Sequence, residues 1–315
     1  MSTPPDAISP PPFLIGANLP WLHYGIDFGA NAWRPGGGVA QPDERAHIEQ
    51  AFEQLAVSGV QYVRWFLLCD GRAGIRFGPS TSLSVSASTS LSAGRPAGLD
   101  DFVFRDIDAA IAVAARHGIR IMFVLLDFLW CDAPRVTRGV QMGGRANVLA
   151  DTDGRAALLD LVLRPLLERY ADEPQILAWD VINEPEWIKT VDAADLGAFL
   201  RDTVALIHSS TSHPATIGSA GVRWRASYTD LGLDFYQVHW YDSLKHQPPL
   251  DTPVVQLGFD RPVLLGEFPT RGSKWTREQI VDRARAAGYS GAFYWSVLSK
   301  DQCSADQIEN KLERL

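Results

Sequence analysis

Hydrophobic positions along the chain gather into eight short β-type runs separated by stretches of helical periodicity. The runs are "FLIGANL" from Phe13, "QYVRWFLL" from Gln61, "IRIMFVLLDF" from Ile119, "QILAWDVI" from Gln175, "ATIGSA" from Ala215, "DFYQVHW" from Asp234, "PVLLGEF" from Pro262 and "GAFYWSV" from Gly291. Runs apolar on both faces suit a parallel sheet covered on both sides. Between them, "DERAHIEQAFEQLAVSG" reads as a helix capped at Asp43 and stopped at Gly59, and "DDFVFRDIDAAIAVAARHG" as one stopped at Gly118. "DTDGRAALLDLVLRPLLERY", "DAADLGAFLRDTVALIHSS", "TREQIVDRARAAG" and "SADQIENKLERL" carry the same periodicity. After the fifth and sixth runs the helical signal is weak, and short helices are expected.

Eight strands alternating with helices is the count of a (β/α)8 barrel. A doubly wound sheet would place a Gly-rich turn after its first strand; "GANLPW" stands there instead, and no GxGxxG occurs in that unit. "RPGGGVAQ" from Arg34 lacks the Lys-Ser/Thr of a P-loop and reads as a flexible loop. The Ser-rich stretch "GPSTSLSVSASTSLSAGRPAG", from Gly78 to Gly98, breaks the rhythm after the second strand. It is expected to be an excursion of a βα loop, in which "SLSVSAS" has the alternation of a small hairpin. The expected architecture is a single-domain α/β fold, a (β/α)8 TIM barrel with elongated βα loops over residues 13–315, preceded by an extended Pro-rich arm over residues 1–12.

Composition narrows the function. The chain has 315 residues and a net charge of −8, with no Lys/Arg cluster interleaved with aromatics, so nucleic acid is not an expected partner. No run of about 18 apolar residues occurs, so no membrane span is expected. Cys69, Cys131 and Cys303 form no CxxC pair, which argues against a zinc ribbon or a thioredoxin-like site. The opening "MSTPPDAISPPPFLIG" has neither a basic n-region nor an apolar h-region, and the expectation is a cytoplasmic enzyme.

In a (β/α)8 barrel the reactive groups come from the C-terminal ends of the strands. Those ends carry Asn18 (with Trp21 and Asp27 beyond), Arg64, Asp127 (with Trp130 nearby), Asn183-Glu184-Pro185, His239 and Tyr241, Glu267, and Trp295. Two glutamates at two strand tips stand out. A pair of carboxyls across a cleft, one protonated and one ionised, is the equipment for breaking a glycosidic bond. The protonated one donates to the leaving oxygen and the ionised one attacks the anomeric carbon. Arg64 and Tyr241 are candidate donors to the ionised member. Asp180 shares parity with Glu184, so it is expected to point inward, where a carboxylate needs a partner; Arg64 is the candidate. Glu186, past Pro185, is expected to be a solvated loop residue or a rim contact. Trp21, Trp130, Trp187 and Trp240 are candidate walls for sugar rings. There is no HxH on the first strand and no GxSxG, so a metal-dependent amidohydrolase and an α/β-hydrolase nucleophile are both disfavoured.

"NEP" closing the fourth strand and a Glu closing the seventh resemble clan A glycoside hydrolases, the retaining (β/α)8 group that includes family 5 cellulases and mannanases. The resemblance extends to "VRW" on the second strand, "HWY" on the sixth and a Trp on the eighth, from Asn18 to Trp295. It implies that Glu184 is the general acid/base and Glu267 the nucleophile. It further implies that Asn183 hydrogen-bonds the sugar 2-hydroxyl, that Arg64 and Tyr241 hold Glu267 ionised, that His239 orders the site near Glu184 or Tyr241, and that Trp295 floors the cleaved sugar. No metal or cofactor is implied. The chain departs from the family 5 pattern at the third strand tip, where Asp127 and Trp130 stand in place of the His many members carry. The expected partner is a β-linked oligosaccharide or polysaccharide, cleaved as a glucan, mannan or related chain. The alternative is a non-catalytic carbohydrate-binding barrel that kept the cleft and lost the chemistry.

Overall fold

The computed structural model describes residues 12–78, 94–242, 244 and 247–297. Eight strands alternate with helical segments, and we number them β1 (Leu14–Asn18), β2 (Tyr62–Phe66), β3 (Arg120–Asp127), β4 (Ile176–Asn183), β5 (Ala215–Ser219), β6 (Tyr236–His239), β7 (Val263–Pro269) and β8 (Gly291–Trp295). Every neighbouring pair is parallel, and β1 pairs with β8 as well as β2, closing the barrel. All eight coincide with the hydrophobic runs of the sequence, β4 and β7 extending one residue past theirs, to Asn183 and Pro269.

The helices form for ordinary local reasons. Arg277–Ala287 begins with a complete capping box between Thr276 and Gln279 and ends at Gly288. Pro42–Val57 begins two residues before the expected arrangement allows: Gln41 is its N-cap and makes no side-chain cap, while Asp43 lies in the first turn instead of capping it. Asp43 there favours the helix dipole without holding a backbone N–H. The expected helix over 151–170 is one α-helical path from Thr152 to Arg169, interrupted by a π-turn at Leu159–Leu163. Pro165, which has no N–H to continue the ladder, sits just past that turn. Among the described residues after β5 and β6 the helical segments are the 3-10 turns Val222–Ser227 and Val254–Gln256.

Two loops are elaborated. The Ser-rich excursion is rooted in an antiparallel pairing of Ile75–Phe77 with Pro96–Leu99. The alternating "SLSVSAS" itself, the arm over residues 1–11, the "SADQIENKLERL" helix and Cys303 lie outside the described residues. The loop after β3 carries a second small hairpin, Arg135–Thr137 with Val140–Met142. Among the described residues no helix is long and apolar enough to cross a membrane.

The barrel lumen changes character along its axis, and this positions the site. Near the N-terminal ends, Met122, Ala178, Leu264 and Phe293 form a buried apolar plug. A Cβ on Gly16 would lie 2.5 Å from the Phe293 ring, so only glycine lets that ring cross the lumen. Above the plug, the buried side chains are Asn18, Arg64, Asp180 and Gln237, a polar layer in the centre of the molecule. The larger apolar core lies outside the barrel, between strands and helices, and includes Trp65, Phe123 and Trp179.

Candidate active site

Arg64 is the centre of the polar layer. Its Nε donates to Asp180 Oδ2 at 2.9 Å, its Nη1 to Glu267 Oε1 at 2.7 Å and to Asn18 Oδ1 at 3.1 Å, and its Nη2 to Asn183 Oδ1 at 2.9 Å. Four strands are thereby tied through one guanidinium, whose planar fork is suited to several acceptors at once. Asp180 is the inward partner that strand parity predicts, and it also accepts from Gln237 Nε2 at 2.8 Å and from the Gly218 N–H at 3.0 Å. A Cβ on Gly218 would stand 2.4 Å from Arg64 Nη2, so the guanidinium fits only beside a glycine. Asn18 completes the layer by donating to the Gly266 carbonyl at 2.9 Å.

On this layer stand the two glutamates. A carboxylate oxygen of Glu184, one of Glu267 and a ring nitrogen of His239 all lie within 4.8 Å of one another. That is the spacing of carboxyls that act directly on opposite sides of one anomeric carbon; a pair leaving room for a water stands at about 6.5–9.5 Å. Glu184 ends β4 in the left-handed region, with φ 44° and ψ 53°. Such a conformation costs on the order of 1–3 kcal/mol in a non-glycine residue and persists only where the surroundings impose it. Here Pro185 follows, the Glu184 N–H is bound to the Gly218 carbonyl at 2.6 Å, and a 3-10 turn closes at Trp187.

The two carboxyls have unequal surroundings. Glu267 accepts from Arg64 at 2.7 Å and from the Tyr241 hydroxyl at 2.8 Å. Burial pushes its pKa up, and His239, Arg64 and Tyr241 pull it back. Glu184 is pushed up to about 7 by burial, opposed only by the Trp187 N–H and by Arg64 at longer range. With the guanidinium bonded directly to Glu267, the first proton taken up by the pair resides on Glu184. His239 Nδ1 lies 2.7 Å from Glu184 Oε1 and 3.4 Å from Glu267 Oε2. Burial pushes its pKa down to about 4, so the ring is neutral. Its Nε2 is buried without a described partner, and a buried lone pair costs less there than an orphaned N–H, which places the ring proton on Nδ1. Glu184, His239 and Glu267 are of metal-ligating type. Their facing atoms are instead engaged with one another and with Arg64, Tyr241 and Trp187, the arrangement of a proton-sharing pair.

Aromatic residues flank the carboxyls. Trp21 and Trp295, both half-buried, meet edge to face at 5.9 Å and rest against Phe66. Trp187, which is 37% exposed, donates its indole N–H to Glu184 Oε2 at 2.7 Å. Two expected wall residues are not on the cleft. Trp130 is fully buried behind it, against Phe77 and beneath Arg145, so it supports the loop after β3 and is not a surface for sugar. Trp240 is likewise buried, stacked on Trp275 at 5.3 Å. Asn18 is buried within the Arg64 layer. Glu186 is not on a solvated rim: its carboxylate is half-buried and accepts from Ser219 Oγ at 2.6 Å and the Ala220 N–H at 3.2 Å.

No family model matches the chain. Over 333 residues it is 24% identical to the mannan endo-1,4-beta-mannosidase of Mytilus edulis, covering 90% of this chain and 83% of that one. The X-ray structure of beta-mannanase from that mussel superposes with a TM-score of 0.69 at 22% identity, over 95% of this chain and 90% of the other. The beta-1,4-D-mannanase of Cryptopygus antarcticus gives 0.73 at 19% identity, over 95% and 88%. A glycoside hydrolase family 5 mannosidase from Rhizomucor miehei gives 0.57 at 17% identity, over 91% and 82%. The chain is thus similar over most of its length to mannan-degrading hydrolases, one of them described as a family 5 enzyme, and shares their fold.

Asp127 is buried at the tip of β3, in register with Asn183. Its carboxyl accepts from Tyr24 OH at 3.2 Å and from the Leu129 N–H at 3.3 Å, both long bonds. Burial pushes it up to about 7, with the Glu184 charge adding to the shift. The folded protein therefore holds this proton more tightly than the unfolded chain does. Between about pH 4 and pH 7 the folded state binds more protons, so Asp127 makes stability fall as pH rises through that window. Asp127→Asn is expected to flatten the slope and to raise Tm at pH 8 by roughly 2 °C or more. Thermal unfolding from pH 4 to 8 checks this. Melting curves that stay parallel to wild type at every pH would mean that Asp127 is not protonated in the fold.

Three supports of the site are not legible in the sequence. Trp187 is more than a candidate wall, since its N–H grips Glu184; nothing in the spacing reveals a hydrogen bond made through a left-handed turn. Glu186 follows a proline, which suggests solvent, yet it is drawn in by Ser219 and Ala220. Tyr24, in the loop after β1, reaches the β3 tip across a distance that no local pattern encodes.

Proposed function

We propose that this protein is a retaining endo-β-1,4-mannanase. The observation that carries the reading is the pair Glu184 and Glu267, with oxygens within 4.8 Å and opposite surroundings. Glu267, held by Arg64 and Tyr241, attacks the anomeric carbon. Glu184 gives its proton to the leaving oxygen, and the glycosyl–Glu267 ester forms as the glycosidic bond breaks. Water then enters; Glu184 takes its proton, the hydroxide oxygen bonds the anomeric carbon, and the ester to Glu267 breaks. Asn183 has its Oδ1 occupied by Arg64. Its amide NH2 remains to donate to the 2-hydroxyl, a contact that strengthens as charge builds on the sugar. Trp295 offers a half-buried ring as the floor of the cleaved sugar. Asp127 and Asn18 act from behind, on the loop after β3 and on Arg64.

Mannan as the substrate is supported by the relatives, whose names describe mannan endo-1,4-beta-mannosidases across most of this chain's length. The non-catalytic alternative has no support in the site, where both glutamates, Arg64, Tyr241 and His239 are in contact. The test is hydrolysis of β-1,4-mannan and β-1,4-glucan followed by proton NMR and viscometry. The β-anomer is expected as the first product, viscosity is expected to fall ahead of reducing-end release, and mannan is expected to be preferred about tenfold or more. The alkaline limb of kcat/KM is expected at about pH 7, where Glu184 loses its proton. The α-anomer as first product, or a preference for glucan, would refute the corresponding part of the reading.

A further inference from the structure

Beyond Glu184 lies a second aromatic pair. Trp187, in the 3-10 turn after β4, meets Trp224, in the 3-10 turn after β5, edge to face at 5.8 Å and 74°. In the closed strand order the β4–β5 edge lies across the barrel from β8–β1, which carry Trp295 and Trp21. The carboxyls therefore sit between two aromatic pairs on opposite sides of the mouth. The far pair is fixed from behind. Glu186 pins the turn that carries Trp187 to Ser219 and Ala220, and the Arg223 guanidinium lies 3.7 Å from the centre of the Trp224 ring. Toward the mouth, Trp187 keeps a partly exposed ring while its N–H reaches Glu184 Oε2 at 2.7 Å.

An acid must touch the glycosidic oxygen it protonates, so the sugar that leaves lies beside Glu184. The ring bonded to Glu184 is then within reach of that sugar, and an indole face is a good surface for the apolar C–H face of a pyranose. We propose that Trp187 and Trp224 form the shelf for the leaving-side sugar and that the Trp187 N–H is a positioning contact for Glu184, so that one ring governs both leaving-sugar binding and proton donation. Trp187 and His239 hold the two oxygens of the carboxyl from different sides, which fixes its plane. This inference rests on the retaining-hydrolase reading and deepens it on the leaving-group side.

The test compares wild type, Trp187→Phe and Trp224→Ala on two substrates. A β-1,4-mannotetraose needs both a leaving-side sugar and a proton. A 2,4-dinitrophenyl β-mannobioside needs neither, because the phenolate departs unaided. Trp187→Phe is expected to lose about thirtyfold or more in kcat/KM on the tetraose, and at least about tenfold less than that on the dinitrophenyl substrate. The Trp187 bond favours the ionised carboxylate, so its removal is expected to move the alkaline limb upward by about half a pH unit or more. Trp224→Ala, which touches neither carboxyl, is expected to raise KM for the tetraose several-fold with the limb unmoved, and it tests the shelf even if Trp187→Phe fails to fold. Equal losses on both substrates with an unmoved limb would reduce Trp187 to a packing residue and overturn the positioning claim. An unchanged KM in Trp224→Ala would overturn the shelf. Wild type inert on both substrates would instead take down the hydrolase reading, and this inference with it.

Discussion

Glu267→Ala is expected to lower kcat/KM on β-1,4-mannan by roughly 10^4-fold or more, since the covalent step loses its nucleophile. Added azide is expected to restore part of the turnover on the dinitrophenyl mannobioside. The small anion fits the space the carboxylate leaves, between Arg64 and Tyr241, where two donors already stand. It attacks from the Glu267 side, so a C–N bond forms as the phenolate leaves, and the glycosyl azide has the α configuration. Glu184→Ala should differ. There Glu267 still forms the ester with the activated substrate, and azide enters from the Glu184 side to give the β-azide. Proton NMR of the two products separates the roles. A β-azide from Glu267→Ala would reverse the assignment, because it would require a nucleophile still present on the other face.

How much of this could be read from the sequence follows the range over which each feature is encoded. The eight strands were legible because each is a local run of apolar residues, and the tips were legible because barrel topology converts order along the chain into place around the mouth. The Arg64–Asp180 pairing was also readable, since parity put Asp180 inward and an inward carboxylate demands a cation. What escaped depends on backbone that leaves regular geometry. Glu184 takes a left-handed conformation, and this turns the next three residues so that Glu186 is drawn inward and Trp187 swings its N–H onto the carboxyl. Trp130 and Trp240 escaped differently. Both lie near strand tips, but they pack against Phe77 and Trp275, partners supplied by distant loops. A helix start was missed by two residues because Pro42, well suited to the first turn, displaced Asp43 from the cap.

Arg64→Met is expected to be the most destabilising change at the site and to cripple turnover at the same time, for reasons that can be separated. Methionine approximates the stem of the side chain but leaves Asp180 without its cation at the centre of the barrel. It also leaves the Oδ1 atoms of Asn18 and Asn183 without the N–H groups that now reach them. Removing one partner of a buried ion pair costs about 3–5 kcal/mol, and urea unfolding should register a loss of that order. Turnover should fall because Glu267 keeps Tyr241 but loses its direct positive neighbour. Its pKa then rises, which moves the acid limb of kcat/KM to higher pH. Adding Asp180→Asn removes the stranded buried charge: the amide oxygen can still accept from the Gly218 N–H, and the amide NH2 can donate to Gln237 Oε1 once that side-chain amide flips. The double variant is therefore expected to recover a large part of the stability and little of the activity. Recovery of both together would mean that Arg64 serves the fold alone and that Glu267 is held ionised by something else. Recovery of stability alone ties the buried guanidinium to the chemistry one layer above it.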